Sequence, residues 1–316
     1  MEIDISHCGI CGSDIHTLTS GWGETKYPQI VGHEIVGTVS KVGPNAKTIK
    51  VGDRVGVGAQ SWSCRRNDCD ACGVHHENIC SKVAGTYDGF YEDGQQTQGG
   101  YATKIRVCET FVFKLPDAIE SEVAGPLMCA GVTVYAPLVR CGVKQGVKVG
   151  VIGIGGLGHL GVQFAAALGA DVTAISHSAS KKDDAMKLGA KHFIETQKEE
   201  QVKAAARRFD VLLCTANGSS NNYKEWISML APRGKFIMVG MPDGLTLPLP
   251  IANIAAVEGE YISSMVGSPA VIKEMLEFAA KHNVKPWIEK LPMSKASEGI
   301  EKVRANNVRF RVVLCN

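Results

Sequence analysis

The sequence predicts an α/β protein: a doubly wound, mainly parallel sheet joined to a barrel-like β domain. Two observations carry this. From about Gly146 apolar strand segments alternate with helical ones, the order of a parallel sheet with crossover helices. Before that, from Met1 to about Val112, short Gly- and Val-rich runs broken by turns read as a barrel with long loops. A length of 316 residues can bury two cores of this kind.

In the first part, segments 35–39 and 51–57 read as strands on either side of a turn at Gly43, Pro44 and Asn45. In the second, 148–152 is a strand and 156–168 a helix. Residues 171–176 form the next strand, followed by a helix through 184–188. Further strands are expected at 192–195, 210–214, 235–239 and 261–266, with a helix over 222–230. After a helix at 270–281, segment 308–314 is a strand that returns to the first domain. The expected boundaries are 1–124, 125–268 and 269–316.

Charge is nearly balanced, with Lys+Arg 34 against Asp+Glu 32, and no basic stretch is dense enough for nucleic acid. Segment 149–170 is long enough to cross a bilayer and carries no Asp, Glu, Lys or Arg. Its glycines at 150, 153, 155, 156, 158, 161 and 169 fit a strand, turn and helix better, so no membrane partner is expected. The first residues lack a secretory pattern. A cytoplasmic protein is expected, with a small-molecule substrate and a second copy of itself as partners. Its 11 cysteines then read as metal ligands or reactive groups, not disulfides.

Gly153-Ile154-Gly155-Gly156-Leu157-Gly158 fits G-x-G-x-x-G after an apolar strand and before a helix. In that context Gly153 permits the tight turn, Gly155 the approach of a pyrophosphate, and Gly158 close helix–strand packing. The helix N-terminus offers N–H groups to the phosphates. A site for NAD usually has an acid at the end of the second strand; here the sequence reads Ser176-His177-Ser178-Ala179-Ser180-Lys181. Hydroxyls and an ammonium suit a 2′-phosphate, so NADP(H) is expected on Ser176, Ser178 and Lys181, with His177 over the adenine. The competing reading is a solvated turn with helix-capping serines.

Cys64, Cys69, Cys72 and Cys80 are dense enough for a four-thiolate structural zinc site. His75 and His76 lie within this loop and are expected to face solvent. Cys11, His33 and Cys129 sit in separate segments, Cys8-Gly9-Ile10-Cys11-Gly12-Ser13-Asp14, Gly32-His33-Glu34 and Pro126-Leu127-Met128-Cys129, which spacing alone cannot join.

Gly32-His33-Glu34-Ile35-Val36-Gly37 resembles the zinc signature of medium-chain alcohol dehydrogenases, and Cys11-Gly12-Ser13-Asp14 their upstream ligand segment. Tyr91-Glu92-Asp93-Gly94, Gln98-Gly99-Gly100-Tyr101 and Pro126-Leu127-Met128-Cys129 bring the chain nearer to cinnamyl alcohol dehydrogenases and the yeast NADPH-dependent enzymes. The resemblance runs over essentially the whole chain. It implies a GroES-like catalytic domain (1–124, with 269–316 returning to it) and a Rossmann domain (125–268). It also implies two zinc sites per chain, one of them catalytic on Cys11, His33 and Cys129, with Cys11 favoured over Cys8. Glu34 resembles the family's acid beside the metal, and Asp14 is expected to orient His33. The zinc would supply Lewis-acid polarisation of an alcohol or aldehyde oxygen; two cysteines and a histidine on an open zinc in alcohol dehydrogenase is a standing example of such a site. Ser13 then begins a proton relay that ends near His16, the competing reading of His16 being a surface histidine. Gly156 and Leu157 complete the cofactor turn, and Thr133 is expected beside the nicotinamide. Trp22 and Trp62 are candidates for an aromatic pocket or for the core. The implied activity is hydride transfer between NADPH and aromatic or aliphatic aldehydes, in a homodimer.

Three other readings compete. A zinc-free quinone or enoyl reductase would lack the ligands, and an NAD-linked polyol dehydrogenase would place an acid near Ser176. Thirdly, the chain starts ten residues before Cys11, where the family has further barrel strands. Their absence would expose sheet edges and leave an NADP(H)-binding protein with little or no activity. Four residues also separate Cys64 from Cys69, a wider gap than the family's.

Overall fold

The computed structural model describes residues 1–218 and 221–316, which form two compact units: Met1–Val132 with Val266–Asn316, and Thr133–Met265. The chain leaves the first unit to build the second and then returns.

The first unit opens with β1 (Glu2–Ile10), α1 (Gly12–Leu18), β2 (Glu34–Lys41), β3 (Arg54–Val57), β4 (Gln60–Trp62), β5 (Ala84–Gly85), β6 (Lys104–Arg106) and β7 (Val112–Lys114). A helix then begins as α2 (Ser121–Pro126), passes through a π-helical turn (Leu127–Gly131) and continues as α3 (Val132–Arg140). The 20-residue stretch Ser121–Arg140 is apolar enough to cross a membrane, yet most of it is buried in the protein, as in a core helix. The first unit extends to Val132, beyond the expected 124, because α2 packs against β1 and β2.

The second unit carries β8 (Lys148–Ile152), α4 (Gly158–Ala167), β9 (Asp171–Ser176), α5 (Lys182–Lys187), β10 (His192–Glu195), α6 (Glu199–Ala204), β11 (Phe209–Cys214), α7 (Tyr223–Ser228), β12 (Leu230–Met238), α8 (Ile251–Ala255) and β13 (Glu260–Ser263). Its six strands pair in parallel in the order β10-β9-β8-β11-β12-β13, so the strand order reverses between β8 and β11. This is the doubly wound order, and ligands of such sheets bind beyond the strand ends at that reversal. Four of the five residues of β8 are buried, as a strand covered on both faces requires. Around it pack Ile175, Phe209, Leu212, Trp226 and Phe236, each buried apolar side chain contributing about 1.5–3 kcal/mol. The last strand stops at Ser263, short of the expected 266, and Val266 adopts a left-handed φ of 43° that an extended strand does not accommodate.

On returning, the chain forms α9 (Pro269–His282), β14 (Ile288–Pro292), α10 (Ala296–Arg304) and β15 (Arg311–Cys315). Ser268 caps α9 by accepting from Val271 N–H, and Pro269 occupies the first helical position, where a missing N–H is harmless. The first unit's sheet runs β14-β15-β1-β2-β3-β7, with β6 also paired to β1. Its core gathers Ile3, Ile35, Val55, Val57 and Phe111, while Ile10, Val312 and Leu314 form a second cluster under α10.

Candidate active site

Three donor-bearing segments meet inside the first unit. Cys11 follows directly on β1, His33 directly precedes β2, and Cys129 lies in the π-turn. Asp14, fully buried on the first turn of α1, clamps the first two segments: its carboxylate accepts from Cys11 N–H at 2.8 Å and Gly32 N–H at 3.0 Å. Pro126, which has no N–H to donate, stands where α-helical bonding gives way to the π-turn. The Cys11 and Cys129 sulfurs are 3.9 Å apart. One donor atom each from Cys11, His33, Glu34 and Cys129 falls within a 4.8 Å span, and all four residues are buried.

This donor set fits zinc. Two thiolates about 2.3 Å from one tetrahedral ion stand about 3.8 Å apart. His33 Nε2 is buried and has no hydrogen-bond partner, which in a protein interior marks a group that serves a ligand. The charges point the same way. The Cys129 thiol donates to the Cys11 sulfur and keeps it ionised well below the usual thiol range, while Cys129 itself is pushed up. Burial drives Glu34 up to about 7 against the pull of Arg311. Burial alone would lower His33, but the Cys11 thiolate and the Asp14 carboxylate outweigh it and hold the ring near 9. Such a crowd of buried anions favours a cation among them.

Glu34 is held by Arg311 of β15, whose Nη2 donates to Oε1. Oε2 of Glu34 and Nε of Arg311 are buried with no hydrogen-bond partner. Gly9 makes this placement possible, because a Cβ there would overlap Glu34 Oε2.

Cys64, Cys69, Cys72 and Cys80 form the second cluster, with sulfur pairs at 3.7 Å (Cys64–Cys72), 3.9 Å (Cys69–Cys80) and 3.5 Å (Cys64–Cys80). The wide gap after Cys64 does not keep the four sulfurs apart. Backbone N–H groups of Cys72 and Ala71 bring the Cys69 thiol down to about 7, whereas burial pushes Cys72 up to about 12. His75 and His76 are exposed and stand outside the cluster. So does Cys8, whose sulfur packs beside Gly32 and Gly100 outside the three-donor group.

In the second unit Gly153 takes a φ of 86°, open to glycine without strain. Its carbonyl accepts from Thr215 Oγ at 2.7 Å. A Cβ on Gly158 would strike that same carbonyl, while a Cβ on Gly155 would meet nothing within 4 Å. The turn is therefore tight on its inner side and open on its outer side, the shape a pyrophosphate cradle needs. Gly156 and Leu157 complete it ahead of α4. Ser176 ends β9, and Ser178 follows with its Oγ 3.0 Å from that of Ser180. Lys181 lies in the next 3₁₀ turn, and exposed His177 lies 3.4 Å from the Gln197 amide. No carboxylate stands among them, so the residues suit a 2′-phosphate.

Ser13 Oγ lies 3.5 Å from the Cys11 sulfur. His16, one turn further along α1, stacks on Trp22 with ring centroids 4.5 Å apart. Thr133 is buried four residues beyond Cys129, and Trp62 is half-buried in β4. Asp14 stands against His33 as an ion-pair partner, its Oδ1 3.6 Å from His33 Nδ1, while its two oxygens accept hydrogen bonds from Cys11, Gly32 and Tyr101. The hydroxyl of Tyr87 lies closer to that nitrogen, at 3.1 Å. Tyr87 and Arg311 both escaped the sequence reading. Arg311 carried one faint signal, a charged residue heading the apolar run Val312-Val313-Leu314.

A unit built on a doubly wound parallel sheet with a glycine turn, in one chain with a unit bearing a three-donor and a four-thiol cluster, defines a zinc-binding dehydrogenase. The chain belongs to the zinc-binding alcohol dehydrogenase family: residues 1–117 match the alcohol dehydrogenase GroES-like domain and residues 156–281 the zinc-binding dehydrogenase domain. It is 41% identical to a probable mannitol dehydrogenase of Mesembryanthemum crystallinum, over 98% of this chain and 85% of that one. It is 40% identical to an NADP-dependent alcohol dehydrogenase of Saccharomyces cerevisiae, over 99% of this chain and 88% of that one. Among solved structures, a cinnamyl alcohol dehydrogenase of Sorghum bicolor superposes with a TM-score of 0.95 at 37% identity, covering 99% of this chain and 89% of that one.

Proposed function

We propose that this chain is an NADP(H)-dependent alcohol dehydrogenase that interconverts aldehydes, aromatic or aliphatic, with primary alcohols. The observation that carries the reading is the meeting of Cys11, His33 and Cys129 in the interior, with His33 Nε2 lacking any hydrogen-bond partner. In this reading these three residues hold the catalytic zinc and the four thiols hold a structural one. Bound zinc supplies Lewis-acid polarisation of the substrate oxygen. The protein's own groups do the rest. Arg311 balances the charge of Glu34 beside the donors. Ser13 takes the proton of the alcohol and passes it outward, and His16 lies one turn further along the same helix face. The turn from Gly153 through Gly155, Gly156 and Leu157 to Gly158 holds the pyrophosphate. Ser176, Ser178 and Lys181 hold the 2′-phosphate, His177 covers the adenine, and Thr133 borders the nicotinamide.

The relatives' names support the cofactor and the class of reaction, and their range from mannitol to cinnamyl alcohol leaves substrate choice to the pocket. We assign the enzyme to the cytoplasm, since its 11 cysteines are all free. We also assign it a homodimer through β13, one of the two edges of the parallel sheet, near which Tyr261 is 38% and Met265 52% exposed. The test is steady-state reduction of cinnamaldehyde, benzaldehyde and hexanal with each nicotinamide, alongside zinc analysis. Reduction driven by NADPH, with about two zinc per chain, is expected. Equal rates with NADH, or no reduction of any of the three, would overturn the reading.

A further inference from the structure

We infer that Tyr87 is the positioning residue for His33, fixing which ring nitrogen is left for the metal and tying the four-cysteine loop to the three-donor cluster. For His33 Nε2 to offer its lone pair, the proton must sit on Nδ1, and that N–H needs an acceptor. Tyr87 Oη lies within reach at 3.1 Å, whereas Asp14 Oδ1 lies at 3.6 Å. The Asp14 oxygens are taken by Cys11 N–H, Gly32 N–H and the Tyr101 hydroxyl, which leaves the Tyr87 hydroxyl oxygen as the acceptor for the His33 N–H. The Tyr87 ring also lies against the imidazole, centroids 5.4 Å apart and planes tilted by 34°. Both features limit rotation of His33.

The position of Tyr87 is set from the other cluster's side. It follows Cys80 by seven residues and β5 by two. Next to it, Thr86 N–H donates to the Ala59 carbonyl at 2.9 Å and Thr86 Oγ to the Gly58 carbonyl at 2.6 Å. With β4 paired to β5, the strands that flank the thiol loop hold the tyrosine's backbone. Tyr87 is 54 residues from His33 in sequence, so this coupling exists only in the fold.

The inference rests on Cys11, His33 and Cys129 being zinc ligands, and the experiment separates the two. Zinc release from the intact protein to a chelator is followed in wild type, Tyr87→Phe and Tyr101→Phe, with cobalt(II) substituted for zinc in parallel. Tyr101 donates to Asp14, at 3.0 Å, without being a hydrogen-bond partner of His33, and serves as the control. For Tyr87→Phe we expect release of one of the two metals to be faster by about 10- to 100-fold, the range for loss of a ligand's hydrogen-bond partner. Its cobalt visible band should shift, with the four-thiol metal retained. Tyr101→Phe should release metal at the wild-type rate. Unchanged release and an unchanged cobalt band in Tyr87→Phe, or equal effects of the two variants, would overturn the role of Tyr87. A wild-type protein that binds one zinc only would overturn the ligand assignment itself. Should Tyr87→Phe not fold, histidine-selective nitrogen-15 NMR of the wild-type zinc protein decides: a proton on His33 Nδ1 with metal on Nε2 is required, and the reverse overturns the inference.

Discussion

Adding one methyl group at Gly158 or at Gly155 separates what the glycine turn does for the fold from what it does for the cofactor. In Gly158→Ala the new carbon would lie 2.9 Å from the Gly153 carbonyl carbon and 3.0 Å from Thr215 Oγ, and closer still to the Gly153 oxygen. That oxygen cannot swing aside freely, because Thr215 holds it at 2.7 Å. The start of α4 and the turn must therefore part by roughly 1 Å, and overpacking of this kind costs about 1–3 kcal/mol. With backbone on one side of the clash the upper end applies, and the better helix propensity of alanine returns less than about 1 kcal/mol. A net loss of about 2 kcal/mol lowers the melting temperature by roughly 3–4 °C in a chain of this length. The same methyl at Gly155 meets nothing within 4 Å, so the fold tolerates it while the pyrophosphate's approach is blocked. Thermal unfolding without nucleotide, paired with fluorescence titration of NADPH, distinguishes the two. Gly158→Ala should melt early and bind poorly; Gly155→Ala should melt like wild type and bind at least about tenfold more weakly, a loss of about 1.4 kcal/mol. A Gly158→Ala protein with the wild-type melting point, or a Gly155→Ala protein with wild-type NADPH affinity, would refute this reasoning.

Three further outcomes are expected. Cys129→Ser should abolish turnover and one zinc equivalent while leaving NADPH binding intact; full turnover would remove Cys129 from the ligand set. Ser176→Asp should weaken NADPH far more than NADH, and an unaltered ratio of the two affinities would defeat the 2′-phosphate assignment. Glu109 accepts from the N–H groups of Lys47, Thr48 and Ile49 and from the Thr48 hydroxyl. Despite the opposing effect of burial, these bonds bring its carboxyl down from 4.5 to about 2. Because the folded value is depressed, its stabilisation is complete above about pH 4.5 and disappears as pH falls toward 2. Glu109→Gln should remove this acid-sensitive contribution, about 1 kcal/mol for a group so open to solvent. Identical wild-type and mutant urea midpoints at both pH 6 and pH 3 would contradict it.

The parallel sheet could be read from the chain because its signals are local. An apolar strand running into Gly153 and Gly158, then a strand every few turns, names its architecture without knowledge of distant contacts. The four-thiol loop was legible for the same reason, since its ligands lie between residues 64 and 80. The three-donor cluster was legible only through resemblance, as Cys11 and Cys129 are 118 residues apart. Arg311 lies 277 residues from Glu34 and Tyr87 54 from His33, and no periodicity announces such pairings. Asp14 was placed at the site on the family's pattern, but its partners depend on backbone N–H groups that a sequence does not display. The π-turn at Cys129 is hidden likewise, for Pro126 in the sequence signals a break, not a widened turn that carries a ligand.

The interruption of the first unit by Thr133–Met265 sets an order of events during synthesis. Cys11, His33, Glu34 and Cys129 all leave the ribosome before the parallel sheet is made, and Arg311 leaves after it. Until the guanidinium arrives, the nascent pocket must seclude thiolates and a carboxylate with the His33 ring as their one cationic neighbour in that group, which disfavours closure. The inserted unit holds all its own strands and can fold in the meantime. Translation thus gives the metal-binding half a built-in delay, and its ligands stay accessible to incoming zinc through most of the polypeptide's emergence.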